Sequence, residues 1–534
     1  MERIALLDTT LRDGTQAEGV SLSVEDKLRI AAKLDELGIT YIEGGFPAAN
    51  PKDQEFFARA GTELNLQHAR LTAFGSTRRP SSTASGDEGL RALLDSGAPV
   101  LTIVGKSWDL HVREALQVSL EQNLDMIRDS VHWLKQHGRE VIFDAEHFFD
   151  GFRENPEYAL LVLRTAEAAG ADWVTLCDTN GGSLPDHIRK TVAAVCAALR
   201  IPVGIHAHND CELAVANTLA AIEAGATMVH GTMNGIGERC GNANLTSIIA
   251  NLELKLDLRC LPTPHHVRRL TEVSRFVSEV ANLVPQSYQP FVGHSAFAHK
   301  GGIHVSAILR NPRTYEHIEP ERVGNVRRVL VSELAGVSNL LHQAERLGLN
   351  LKDRPAETRR LLEEIKELEH LGYQFESAEA SQELMLLRTF GDFTDVLTVE
   401  SLRIHVAQQP GANLIAEAVL KLSVSDQVVH AVAEGDGPVN ALDNALRKAL
   451  RPFYPAIDEM HLADYKVRVL DGKDGTAAKV RVLIESTNGR QVWRTVGVSR
   501  NVVEASWEAL ADSVRYFLLC VNKSGPAPEG VLTY

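Results

Sequence analysis

The chain has 534 residues, more than one compact domain usually holds, so two or three domains are expected. With 44% apolar and 23% charged residues it has the composition of a globular protein, which excludes extensive disorder. Its 70 acidic and 55 basic residues leave a net charge of −15, and no dense Lys/Arg run offsets it, so a nucleic-acid binder is excluded.

The start, residues 1–8, is a short apolar run without a basic leader or a small-residue cleavage site, and reads as a strand. No apolar run approaches the ~18 to 20 residues of a membrane helix, so no membrane association is expected. Six cysteines (Cys177, Cys196, Cys211, Cys240, Cys260, Cys520) lack any C-x-x-C spacing, which fits reduced thiols and a cytoplasmic protein.

From Arg3 to about Asn251, short apolar runs alternate with amphipathic stretches. Strands are predicted at 4–7, 41–43, 71–74, 100–104, 141–143, 173–176, 203–205 and 228–229. Helices are predicted at 25–37, 116–135, 156–169 and 184–199, with Gly38, Gly138 and Gly170 as C-terminal stops. Eight such units over roughly 250 residues match an α/β fold, the (β/α)8 or TIM barrel. A doubly wound sheet would alternate in the same way, but the first strand–helix turn lacks G-x-G-x-x-G.

Nearly every strand runs into a polar stretch: Asp8-Thr9-Thr10-Leu11-Arg12-Asp13-Gly14, Glu43-Gly44-Gly45, Asp144-Ala145-Glu146-His147, Asp178-Thr179-Asn180 and His206-Ala207-His208-Asn209-Asp210. Barrel loops at the C-terminal strand ends converge on one mouth, so this placement favours catalysis. His206 and His208, two apart on a strand, point the same way and can grip one cation, although one of them can instead be a buried structural imidazole. Asp13 adds a carboxylate, since only the eighth strand separates strands one and seven in a closed barrel. Asn242, in the Gly-rich loop 235–242, can add an amide oxygen. Such a donor set suits Mg, Mn or Zn alike.

The surrounding groups fit a 2-oxo acid. Arg12 suits an enolate, alkoxide or carboxylate, Thr179 offers a hydroxyl, and Glu43 and Glu146 can orient Arg12 and the ligands. Read singly, Arg12–Asp13 is an ion pair and Thr179 a helix cap. The glycines of the 235–242 loop are expected to let backbone approach a ligand closely.

Residues 1–265 thus form the expected catalytic barrel. Residues 266–390 read as a mostly helical linker region, interrupted by the Gly/His-rich segment 293–304. Residues 391–534 read as an α+β regulatory domain with few ionisable groups at strand ends. An internal repeat at an offset of 64 aligns Val439, Ala441, Ala445 and Leu446 with Val503, Ala505, Ala509 and Leu510, each set following a strand.

The run Asp8–Gln16, the His206–His208 pair and the loop 235–242 resemble the 2-isopropylmalate, homocitrate and citramalate synthase family, and the likeness extends over almost the whole chain. The resemblance implies Asp13, His206, His208 and Asn242 as ligands of a divalent metal, and Arg12, Glu146 and Thr179 holding the 2-oxo acid, with Gln16 and Glu43 beside it. It further implies His304 and Tyr315 as a catalytic pair donated across a homodimer to the neighbour's barrel. Here Val305-Ser306-Ala307 follows that His, where the family has Gln-Asp-Gly. Segments 41–51 and 144–150 are most similar to the citramalate-forming members, whereas 105–112 departs from the isopropylmalate-forming ones. The expected substrates are therefore pyruvate and acetyl-CoA, with 2-isopropylmalate or homocitrate formation as alternatives. The base is expected to be His304 with Tyr315, or else Glu146. Isoleucine is the expected feedback ligand of the C-terminal module, which a cut near Thr394 is expected to remove without loss of activity.

Overall fold

The structure, a computed structural model, describes residues 3–330, 337–351, 353–391, 393–408 and 414–521. Eight parallel strands close into a barrel in the order of the chain: β1 (Ala5–Asp8), β2 (Tyr41–Gly45), β3 (Arg70–Ser76), β4 (Val100–Lys106), β5 (Glu140–Glu146), β6 (Trp173–Asp178), β7 (Val203–Ala207) and β8 (Met228–Gly231). β8 pairs with both β1 and β7, closing the ring as expected. The helix Val24–Leu37 begins at a capping box, in which Ser23 accepts from the Asp26 N–H and Asp26 accepts from the Ser23 N–H. It ends at Gly38, whose φ of 94° a side chain would oppose.

The strands run further toward the mouth than their apolar cores suggest. β5 continues through Asp144 to Glu146 and β7 through His206 to Ala207, so residues expected in loops belong to the ladder. The reason is alternation: every second residue faces the barrel axis, and polar residues there still pair their backbones. Ala5, Leu7, Tyr41, Val100, Ile142 and Met228 form an apolar floor within the barrel. Two residues further along the strands stand Glu43, Thr102, Asp144 and His230, all buried.

The described chain gathers into two compact units. The first runs to Phe297 and takes in His317–Arg327; the second comprises Ala298–Glu316 and the chain from Arg328 onward. The sequence divisions at 265 and 390 fall inside these units. Val323 is buried in the barrel core, and Thr271 donates to its carbonyl at 2.7 Å, while Asn325 donates to the carbonyls of Phe291 and Gly293.

In the second unit, β9 (Ala298–His299) pairs with β10 (Arg328–Val329). Beyond them stand two antiparallel three-stranded sheets. β11 (Thr398–Ala407), β12 (Ile415–Val424) and β13 (Gln427–Gly435) are followed by the helix Pro438–Leu450. β14 (His461–Val469), β15 (Val480–Thr487) and β16 (Val492–Ser499) are followed by the helix Val502–Tyr516. The repeat is a packing pattern, because Ala441, Ala445, Leu446, Ala505, Ala509 and Leu510 are all buried in one shared core. The helices Pro355–Leu371 and Glu379–Phe390 contribute Leu361, Ile365 and Leu386 to a cluster with Val496 of β16. Tyr373 donates to Glu508 at 2.6 Å, and Arg388 pairs with Asp512 at 2.8 Å. A cut near Thr394 removes Val496 and its neighbours from this cluster.

Candidate active site at the barrel mouth

Strand alternation and the two loops flanking β8 bring the expected metal ligands together. His206 Nε2 lies 3.3 Å from Asp13 Oδ2 and 3.3 Å from His208 Nε2. One donor atom from each of the three lies within 4.8 Å of the others, and all three residues are buried. An isolated backbone bridge joins Asn242 to His208 of this group. The Oδ1 atoms of Asp13 and Asn242 are buried and find no hydrogen-bond partner among the described residues.

This arrangement fits a divalent cation. Two ring nitrogens 3.3 Å apart can share at most one proton, and buried oxygens without donors carry an unmet desolvation cost. Charge states agree. Burial opposes ionisation of Asp13, but Arg12, His206 and His208 outweigh it and hold the carboxyl well below the usual carboxylate range. Burial, helped by His206, brings His208 down to about 3, so its imidazole is neutral and free to ligate.

Arg12 is fixed on several sides. Its Nε donates to Glu43 Oε2 at 2.7 Å, a terminal nitrogen stands 3.3 Å from Asp13 Oδ2, and the guanidinium lies 4.0 Å over the Phe74 ring. The Thr9 hydroxyl donates to the same Glu43 oxygen at 2.6 Å and accepts from the Asp13 N–H, coupling the arginine's anchor to the ligand. Burial works against the guanidinium charge, but Glu43 and Asp13 keep Arg12 protonated. The Arg12–Asp13 ion pair read from sequence therefore exists as one edge of a larger network.

Thr179 is not a helix cap; Leu184 occupies that position before Pro185–Ala198. Its hydroxyl oxygen accepts from the His147 N–H at 2.9 Å, which leaves its own proton to donate elsewhere. His147 makes that contact from a left-handed backbone with φ 54°. Glu146 does not orient Arg12 as expected: its partner is Lys106, opposite it in the β4–β5 register. Gln16 closes a short 3-10 turn and is exposed.

Two glycines of the 235–242 loop are needed by the loop's own packing. A Cβ on Gly241 would strike the Gly235 carbonyl, and one on Gly237 would strike the Asn242 amide. They let the loop fold onto itself and aim Asn242. His304 and Tyr315 lie in the second unit, where their rings stand 4.3 Å apart and both side chains are exposed.

Sequence reading passed over Thr9, Lys106, Asp144 and His230 as site residues. The signal was period two counted back from the mouth. His230 accepts or donates with Thr175 at 3.2 Å and stands edge-on to His206, 5.7 Å away. Burial, with His206 and Arg12, drives its pKa well below the ordinary imidazole value. Burial and the nearby Glu43 push Asp144 up to about 7.

The barrel that carries these two imidazoles, the aspartate and the braced arginine is matched, over residues 3–277, by the HMGL-like family model. Residues 291–372 match the homocitrate synthase post-HMGL domain-like model, and 376–518 match the LeuA allosteric (dimerisation) domain. The chain is 54% identical over 526 residues to the (R)-citramalate synthase of Aquifex aeolicus, covering 98% of this chain and 99% of that one. It is likewise 54% identical to the (R)-citramalate synthase of Synechocystis sp., covering 96% of each. Against a probable 2-isopropylmalate synthase of Methanopyrus kandleri identity falls to 33%, covering 96% of this chain and 98% of that one. The chain belongs to the (R)-citramalate synthase family of enzymes.

Proposed function

We propose that this enzyme condenses pyruvate with acetyl-CoA and water to give (R)-citramalate and CoA, an acyl transfer in which the acetyl group becomes an alkyl substituent. The observation that carries the reading is the convergence of Asp13, His206 and His208 on one point beside a fully braced Arg12. The identity to (R)-citramalate synthases supports pyruvate over 2-oxoisovalerate as the acceptor.

Asp13, His206, His208 and Asn242 would hold the cation, with Mg, Mn and Zn all compatible with two imidazoles, a carboxylate and an amide. When bound, a divalent cation supplies Lewis acidity toward the ketone and carboxylate oxygens of the 2-oxo acid. Arg12 neutralises the charge that develops on the ketone oxygen, and Glu43 and Thr9 keep its fork in place. Thr179 donates its free proton to the pyruvate carboxylate. Glu146, held by Lys106, flanks the substrate. A base takes a proton from the acetyl methyl group, the resulting carbon forms a bond to the pyruvate C2, and the ketone oxygen gains a proton. Water then cleaves the thioester and releases CoA. His304, polarised by Tyr315 and donated from the partner subunit of a homodimer, is the base; Glu146 is the alternative.

Isoleucine bound at the repeated C-terminal module would regulate the enzyme, a role that the match to the LeuA allosteric domain supports. A cytoplasmic setting belongs to the same reading; among the described residues no helix is long and apolar enough to cross a membrane. CoA release measured over pyruvate, 2-oxobutanoate, 2-oxoisovalerate and 2-oxoglutarate, with and without chelator, tests the reading. Pyruvate should lead the panel and the chelator should silence it; preference for another acceptor removes the citramalate assignment.

A further inference from the structure

One guanidinium ties together three strand-end loops at the barrel mouth. Arg239, in the loop after β8, donates from Nε to Asp210 Oδ1 at 2.8 Å and from a terminal nitrogen to Asp210 Oδ2 at 2.9 Å. That terminal nitrogen also donates to the Thr179 carbonyl at 2.7 Å. Thr179 follows β6, Asp210 stands two residues past His208, and Arg239 stands three before Asn242. The loops that carry the substrate hydroxyl, the second imidazole and the amide oxygen therefore meet on one side chain.

The backbone is shaped around this contact. Arg239 holds φ 56°, a left-handed conformation uncommon outside glycine. Gly181, at φ 62°, leaves room for the Asp210 carboxylate, which any Cβ there would strike. The Asn209 N–H donates to the Gly241 carbonyl at 2.9 Å, and the Cys211 N–H to the Gly181 carbonyl at 3.2 Å, lacing the same loops beside the fork. With 39% and 24% of their side chains exposed, Arg239 and Asp210 contribute little to stability as an ion pair. What a two-pronged pair supplies is fixed distance and angle, which a lysine cannot reproduce.

We propose that Arg239, acting with Asp210, is a positioning residue: it sets the Asn242 amide against His208 and the Thr179 hydroxyl against both, and so governs cation affinity and pyruvate fit without touching the reacting atoms. The proposal rests on the metal-dependent reading above. Its test is Mn2+ titration, followed by electron paramagnetic resonance, of chelator-stripped full-length protein as wild type, Arg239→Gln, Arg239→Lys, Asp210→Asn and the Arg239→Gln/Asp210→Asn double variant. Pyruvate KM and kcat and the thermal midpoint are measured on the same samples. Arg239→Gln and Asp210→Asn should each weaken Mn2+ binding ~10- to 100-fold, as losses around metal ligands do. Pyruvate KM should rise more than kcat falls, the double variant should be no worse than the singles, and Arg239→Lys should recover part of the affinity. The thermal midpoint should stay near that of the wild type. Unchanged Mn2+ affinity and KM in Arg239→Gln, whatever the midpoint does, overturn the proposal. A wild-type protein that binds no Mn2+ overturns the metal reading itself, a failure visible before any variant is made.

Discussion

Asp8 is fully buried, and its carboxylate accepts from both the Thr10 N–H, at 2.9 Å, and the Thr10 hydroxyl, at 3.0 Å. Those donors favour the ionised form, but burial outweighs them and pushes the group up to about 7. An aspartate in the unfolded chain titrates near ~3.9. Between those values the folded protein retains a proton that the unfolded chain has lost, so this group's contribution to stability is full below about pH 4, falls as pH rises, and levels off above about pH 7. Asp8→Asn is neutral throughout. Its melting temperature should therefore gain on the wild type between about pH 4 and about pH 7 and run parallel to it above that; curves parallel throughout would show that Asp8 ionises freely in the fold.

Strands and helices were largely legible because their signals are local. The eight apolar runs, the Gly38 stop and the 64-residue repeat each depend on a few neighbouring side chains. The strand ends were not, since a strand that turns polar toward an active site loses its apolar signature while keeping its ladder. That is why Asp144 read as a loop residue and why Asp144 and His230 were passed over. Nor did spacing reveal that Glu146 belongs to Lys106, because their meeting is a matter of β4–β5 register. The candidate pair His206 and His208 was legible because H-x-H at a strand end holds its geometry within three residues.

The same limit applies to the linker. Its helices read as a separate piece, yet Leu361, Ile365 and Leu386 share a cluster with Val496, and the Ser381 hydroxyl accepts from the Val496 N–H at 3.1 Å. Removing the chain from about Thr394 should expose that apolar surface. The shortened protein should aggregate or lose its cooperative melt by calorimetry; a soluble, cooperatively melting product would show that the helices stand without the sheet. The proposed control by isoleucine is better examined in the intact chain, by inhibition kinetics and calorimetric binding.

If His304 and Tyr315 serve the neighbour's barrel, two defective chains can repair each other. Asp13→Asn and His304→Ala should each be nearly inactive alone. Co-expressed, half of the dimers are mixed, and each mixed dimer holds one barrel with intact ligands facing an intact histidine, so about a quarter of wild-type activity should return. No recovery in a preparation shown by mass spectrometry to contain mixed dimers would place the histidine in its own chain's reaction.

The path of the chain between the two compact units carries a consequence for how the protein is made. The polypeptide leaves the barrel unit after Phe297, returns for His317–Arg327, and departs again. Val323 fills the barrel core, and Gly324 passes so close to the Arg268 carbonyl that no side chain would fit. A nascent chain emerging from the ribosome has all eight strands long before it has this last wedge. The ring can close once β8 is made, but the packing around it is completed only after more than three hundred residues are synthesised, and a ribosome stalled shortly before that point would hold a closed barrel with an unfinished coat.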